Sequence, residues 1–262
     1  ESFKTLPADT LYLSNFYALN NLFIWKSIGE KNEEKKWEKL FSNTISEFLE
    51  NKKDYYQVRV LNNKGVEIIN TIYNKDTQKA YKVPKNKLQD KSHRTYYKRI
   101  KDLKGGEFFV SNITLNEEIR KIQVPHNPMV RFATSIINQN GEKDGTLIIN
   151  AYANKFLNYL KNSEKEFNFY LVDKNGDYFY NKDKSKLWAN QLSHKGNINN
   201  DFKNIIKNFG QKDSGVFKFK NKLISFKKIH PYEKNQNFYW YIISEIDSNI
   251  ALNELQDLKM TF

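Results

Sequence analysis

The chain has no cysteine, two methionines, five prolines and ten glycines among its 262 residues. Without cysteine there is no disulfide framework, no thiolate metal site and no cysteine nucleophile. The compartment stays open, because a chain without thiols is compatible with any redox environment. No run approaches the roughly 18 consecutive apolar residues that a membrane span requires. The four histidines, His93, His126, His194 and His230, stand singly, none at a metal-ligand spacing from a second candidate, and read as surface or turn residues. There is no G-x-S-x-G, phosphate loop or dinucleotide fingerprint, and Gly105-Gly106 alone marks a turn. The paired acids Glu117-Glu118 are of a kind common on solvated loops. No catalytic constellation is left, so the expectation is a non-enzymatic fragment that needs no metal or cofactor.

What is present is apolar surface and positive charge. Hydrophobic residues make up 39% and aromatic residues 15%, which excludes a disordered polyelectrolyte. The 43 Lys and Arg against 30 Asp and Glu give a formal charge of +13. That charge is diffuse: Lys alternates with Glu, as in Glu30 to Lys39 (EKNEEKKWEK), with no arginine-rich tract, zinc-finger spacing or RNA-binding signature. A Lys-rich solvated surface is the expectation, not a nucleic-acid partner; a mild attraction to anionic lipid headgroups is compatible with it. The first residues, Glu1-Ser2-Phe3-Lys4, include no initiator Met and form no signal peptide, so the chain is expected to be an excised piece of something longer.

From Thr10 to about Asn51 the period is helical, with Trp37, Leu40, Phe41, Ile45, Phe48 and Leu49 at three- and four-residue spacing and Gly29 as the one weak point. Forty helical residues predict a rod of about 60 Å, long enough to span two domains or pair with a second copy. The period then changes to two: Tyr56, Val58 and Val60 alternate with Gln57, Arg59 and Leu61, and the turn Asn62 to Gly65 leads into Val66 to Tyr73. A polar stretch with Pro84, a short helix over Leu88 to Ile100, and strands at Glu107 to Val110, Val130 to Ile137 and Thr146 to Asn150 complete a first module. After a connecting helix to about Ser163 the order begins again. Strands are expected at Asn168 to Asp173, Asp177 to Tyr180, Val216 to Phe219, Leu223 to Lys228 and Phe238 to Glu245, with a last helix over Asp247 to Phe262. The fold class is α+β: a long N-terminal helix and two modules, each a central antiparallel sheet flanked by helices. The division is 1–51, 52–160 and 161–262.

The segment from Leu88 to Arg131 mixes cations, phenols and small polar residues. Lys91, Arg94, Tyr96 and Tyr97 share one helix or turn, and Ser111 and Thr114 follow the next strand. Arginine offers a planar fork that holds a carboxylate bidentately, and tyrosine adds a donor and an apolar wall. This composition suits an anion pocket. It suits equally a domestic ion pair, for instance Arg94 with Asp90, over tyrosines that merely fill the core.

At these residues the chain resembles the double Cache family, tandem PAS-like extracytoplasmic sensor domains of bacterial and archaeal receptors. The blocks are Tyr56-Gln57-Val58-Arg59 with Gly65 and Glu67; Leu88 to Tyr97 (LQDKSHRTYY); Gly106 to Ser111 with Leu115-Asn116; and Pro125 to Thr134 (PHNPMVRFAT). They cover most of Tyr55 to Ala151. The resemblance implies two PAS-like modules, a sensor outside the inner membrane held by flanking helices absent from this sequence, and an output domain, most readily a histidine kinase. A chemoreceptor or a cyclic-dinucleotide enzyme is the alternative output. The ligand pocket would lie in module 52–160 beside Arg94, Tyr96 and Tyr97, which in amino-acid-binding relatives would hold the ligand carboxylate. The acid that would meet an ammonium group there corresponds to Asn150, so a small carboxylate or other polar metabolite is expected before an α-amino acid. Arg131 would point into the pocket or across to Glu67. A periplasmic binding protein in place of a small ligand, and a homodimer paired through the first helices, are the partner expectations.

Overall fold

The computed structural model describes residues 3, 5–163, 167–232 and 235–251. They fall into two compact units, 1–153 and 154–262. The α+β class with antiparallel sheets is as expected; the single N-terminal rod is not. Three helices replace it: α1 (Leu6–Ser14), α2 (Tyr17–Ile28) and α3 (Lys31–Lys52). Ser14 Oγ donates to the Leu11 carbonyl, Phe16 turns extended, and Gly29 takes φ +88°, where its amide bonds the Trp25 carbonyl. That left-handed cap is the conformation glycine adopts without penalty. The longest helix, α3, is therefore about 33 Å. Helix α2 folds back along α3: the Tyr17 and Trp37 rings lie 5.9 Å apart, and Lys26 reaches Glu34 at 2.9 Å. The partner of α2 is thus a helix of the same chain.

The first unit continues with β1 (Tyr55–Asn62), β2 (Glu67–Asn74), β3 (Lys79–Lys82), α4 (Thr95–Ile100), β4 (Phe108–Val110), β5 (Thr114–Leu115), β6 (Glu117–Glu118), β7 (Lys121–Ile122), β8 (Pro128–Ile137) and β9 (Lys143–Tyr152). The antiparallel sheet runs β3-β2-β1-β9-β8-β4, with β5 on the end of β8; β6 and β7 form a separate small hairpin. Strand β3 falls in the stretch that read as merely polar, because only Ala80 and Tyr81 interrupt its lysines. The helix expected from Leu88 is short for a specific reason. Residues 89–91 are extended along the start of β2, where Glu67 N donates to the Gln89 carbonyl (3.0 Å) and Lys91 N to that of Gly65 (2.9 Å), so α4 cannot begin before Arg94 caps it.

The register assigns the two faces of this sheet. Gln57 sits opposite Asn150, Asn150 opposite Arg131, Arg59 opposite Ile148 and Asn70 opposite Arg59. With a period of two these side chains share one face. Leu61, Ala133 and Ile148 on that face pack against Tyr96, Tyr97 and Ile100 of α4. The opposite face, with Val58, Val60, Phe132 and Ile149, is also buried, and Phe23 of α2 reaches Gly145 there.

The second unit holds α5 (Asn154–Asn162), β10 (Asn168–Asp173), β11 (Tyr178–Tyr180), α6 (Ala189–Leu192), α7 (Ile198–Asp201), α8 (Ile205–Phe209), β12 (Ser214–Phe219), β13 (Lys222–Ile229) and β14 (Trp240–Asp247). Its sheet runs β11-β10-β14-β13-β12. Phe202, Ile205 and Phe209 close one face over Val172, Ile224 and Tyr241, and Phe209 stacks on Phe226 at 3.9 Å. The final helix expected over Asp247 to Phe262 is seen at 248–251, and the remainder, 252–262, lies outside the described residues.

Candidate functional site

The polar face of the first sheet is the chemically unusual part of the molecule. Gln57, Arg59, Asn70, Arg131 and Asn150 are buried within strands, and Glu67 at the start of one, where apolar residues are the rule. Three of the amides and one acid form a ladder across three strands: Asn150 Nδ2 donates to Gln57 Oε1 (2.9 Å), Gln57 Nε2 to Asn70 Oδ1 (2.8 Å) and Asn70 Nδ2 to Glu67 Oε2 (3.2 Å). Such a chain satisfies buried groups that would otherwise each cost a lost hydrogen bond.

Above this face lie α4 and the β6–β7 hairpin. Arg59 Nε stands 3.2 Å from Glu67 Oε1, and its Nη2 donates to Glu118 Oε1 at 2.6 Å. Arg94, at the start of α4, pairs with Glu117. The hairpin therefore brings two carboxylates down onto two guanidinium groups. Lys91 is buried and donates to Gln89 Oε1 (2.9 Å), with Glu118 at 3.6 Å and Glu67 at 3.9 Å.

Arg131 differs from these neighbours. It is 3% exposed, its Nη1 donates to Thr114 Oγ1 (2.5 Å), and its Nε has no partner among the described residues. No carboxylate among the described residues pairs with it; the Glu67 that sequence reading offered as one alternative is taken by Arg59. The Tyr96 ring lies 5.6 Å from the Arg131 guanidinium and 5.7 Å from that of Arg94, and the Tyr96 hydroxyl, also buried, is unpartnered. Asn150, opposite Arg131 in the register, keeps its Oδ1 unpartnered. Among the described residues, a cation without an acid, a phenol and an amide oxygen thus remain unmatched on a single face.

Comparison with known proteins supplies the wider context. The model of the family described as the bacterial histidine kinase sensor domain matches residues 20–243. The chain belongs to that family. A search of the curated proteins gives no match. Among solved structures, the extracellular domain of a candidate histidine kinase, vpHK1S-Z8, is similar at 21% identity over 94% of this chain and 84% of its own, with a TM-score of 0.75. A domain of a candidate sensory box/GGDEF family protein from Vibrio parahaemolyticus is similar at 22% identity, with 94% and 89% covered and a TM-score of 0.77. The ligand-binding domain of the Pseudomonas fluorescens chemoreceptor CtaA, solved with L-serine, shares 14% identity over 93% and 89%, with a TM-score of 0.53. As a sensor domain this stretch is a non-catalytic module.

The electrostatics of the sensor domain follow from its burial. Four cations, Arg59, Lys91, Arg94 and Arg131, face three carboxylates, Glu67, Glu117 and Glu118. Burial pushes the Arg131 guanidinium down to about 10, and Arg59 and Arg94 add to that. Burial acts the same way on Arg59, yet Tyr96, Glu118 and Glu67 outweigh it and leave its pKa raised. Lys91 is lowered by burial and then by Arg59. Burial would raise Glu118, but Arg59 and Lys91 hold it below the ordinary carboxylate range. The surplus positive charge is therefore concentrated at Arg131.

Of the residues expected at the site, the structure gathers Lys91, Arg94, Tyr96, Thr114, Arg131 and Asn150 around one sheet face. Tyr97 and Ser111 have other hydrogen bonds. The Tyr97 hydroxyl donates to the Asn63 carbonyl (2.8 Å) at the β1–β2 hairpin, while Ser111 Oγ donates to the Asn112 carbonyl (2.7 Å) and accepts from Arg131 N (2.9 Å). The anion-pocket and ion-pair readings of Arg94 meet here: its acid is Glu117, not Asp90, whose side chain accepts from Ser92 N. Sequence reading set Glu117 and Glu118 aside as solvated acids and missed Asn70 and Gln89. The available signal was polar residues at every second position of otherwise apolar strands.

Proposed function

We propose that this sensor domain is the extracytoplasmic, ligand-binding part of a transmembrane histidine kinase, and that its first unit binds a small carboxylate carrying a neighbouring hydrogen-bond donor. The observation that carries the reading is the buried Arg131 without an acid. A guanidinium removed from water and left without a counter-charge is costly, and an incoming carboxylate supplies that charge. The Tyr96 hydroxyl adds a donor, and Asn150 Oδ1 accepts from the ligand. Because Asn150 is neutral, a hydroxyl suits it as well as an ammonium does, which favours a 2-hydroxy acid over an α-amino acid. The amino acid bound to the similar CtaA domain supports a small-carboxylate class without fixing the member.

Binding would favour a conformation in which the ligand replaces Glu117 as the anion at Arg94. A ligand shifts a two-state receptor only by its differential affinity for the states, so a tenfold preference moves the balance by about 1.4 kcal/mol. The test is a thermal-shift screen of hydroxy acids, amino acids, dicarboxylates, amines and sugars. A rise of several degrees for one carboxylate class, lost in Arg131→Met and weakened in Arg94→Ala, is the expected result. No rise from a cooperatively melting protein would move the reading to a periplasmic protein partner.

A further inference from the structure

The second unit carries a cleft of its own, remote in chemistry from the ladder described above. It has a volume of about 350 Å³ and is lined by strand residues Tyr170, Phe219, Lys222 and Glu245, by Asp201 and Phe202 of the covering helical segment, and by Asn181, Lys186, Lys220 and Asn221. That volume is within the range of small-ligand sites. Both of its acids are already engaged by a phenol and a lysine. Glu245, 4% exposed, takes the Tyr170 hydroxyl at 2.7 Å and the Lys222 ammonium; Asp201 takes the Tyr178 hydroxyl at 2.6 Å and Lys186 at 2.9 Å.

Its donors are not saturated. Each ammonium carries three N–H groups, and Lys186 and Lys222 use one apiece on these acids. Lys220 is held at the rim by a left-handed turn (φ +56°) and makes no ion pair with the described residues. Asn181, which lines the cleft, is 7% exposed: its Oδ1 accepts from Asp183 N (2.8 Å), and its Nδ2 has no partner among the described residues. The walls between these donors are aromatic. Phe202 meets Tyr170 and Phe219 edge to face, each at 5.7 Å.

We propose that this cleft is a second ligand site, independent of the first, for a small organic carboxylate with a flat apolar body. The carboxylate would lie between Asn181 Nδ2 and the Lys220 and Lys222 ammoniums, and the body against Phe202 and Phe219. An amine is disfavoured, because the two acids that could receive it are already committed and three lysines oppose it.

Benzoate is the probe, titrated into the 15N-labelled sensor domain to about 10 mM, which reaches weak millimolar binding. Saturable shifts are expected at the amides of Asn181 and of Phe219 to Lys222, weaker shifts with acetate, which lacks the body, and none with benzylamine. Asn181→Ala and Lys220→Gln should each weaken benzoate about fivefold, the value of one hydrogen bond. Lys220 lies on an exposed turn, so its replacement leaves the fold intact even if Asn181→Ala does not. The proposal is overturned by benzoate shifts confined to the first unit, by the absence of saturable shifts, by equal binding of benzylamine, or by a Lys220→Gln protein that binds like the parent.

Discussion

At Arg131 the cost of burial and the demands of the proposed function pull in opposite directions. Replacing a buried, unpaired cation with an apolar side chain of similar length removes a desolvation penalty. Arg131→Met is therefore expected to melt at or above the temperature of the parent and yet to lose the ligand-induced shift, a pair of outcomes that one set of melting curves reads. A purely structural arginine would do the reverse, lowering the melting temperature. Gly65 is constrained for steric reasons: at φ +83°, a Cβ there would stand 2.8 Å from the Tyr97 ring and 2.9 Å from Ser92 Cα. Gly65→Ala should cost on the order of 2 kcal/mol in urea unfolding. Individual residues were partly legible in the sequence. Arg131 and Asn150 entered through the family resemblance, Arg131 as part of a recognisable block and Asn150 as the position of the family's acid. The unmatched state of Arg131 was not legible, since whether Glu67 answers Arg59 or Arg131 depends on a bulge between Val60 and Leu61 that shifts the β1–β2 register.

Among the elements, the β6–β7 hairpin is held in an unfavourable shape. Its turn residues Ile119 and Arg120 take φ +51° and +58°, a conformation that asparagine and glycine adopt readily and a β-branched residue resists. The closed hairpin is kept by Glu117 on Arg94 and Glu118 on Arg59. Exchanging the turn for Asn-Gly (Ile119→Asn with Arg120→Gly) is expected to stabilise the protein by about 1 kcal/mol. It should also weaken ligand binding by holding the hairpin down, which calorimetric titration of whichever carboxylate the screen identifies would read. The α2–α3 pair carries a pH dependence. Hydrogen bonds from Lys31 and Lys26 lower Glu34 to about 2. A depressed carboxyl contributes stability that is fully present above its unfolded value near 4.5 and is lost as pH falls toward 2. Melting temperature should fall across that window, and less steeply in Glu34→Gln. The helical period announced these residues as helix, but it could not say that Gly29 reverses the chain. An interrupted amphipathic pattern reads alike for one rod and for two helices folded together.

Over the whole molecule, a diffuse +13 charge repels itself. Added sodium chloride from low to physiological strength should therefore raise the melting temperature, since the Debye length falls to about 8 Å at 0.15 M. The second unit has a core of its own, in which Phe209 is fully buried. Phe209→Ala should cost about 3–5 kcal/mol, and hydrogen exchange should show the loss in β12 to β14 before the first sheet. The repeat of strand order made the two-module plan readable. The order within each sheet was not, because sequential strands are equally compatible with several antiparallel arrangements. The carboxylates above the first site have one more consequence, for the concentration at which such a receptor would respond. Under the proposed function, Glu117 is a tethered anion that would compete with the ligand carboxylate, a built-in antagonist at a local concentration of roughly millimolar, as short tethers give. Any external carboxylate at Arg94 must outcompete it. The threshold of detection is then set by the length and stiffness of a hairpin as much as by the contacts of the ligand, and loosening that hairpin would make the same pocket answer to a scarcer signal.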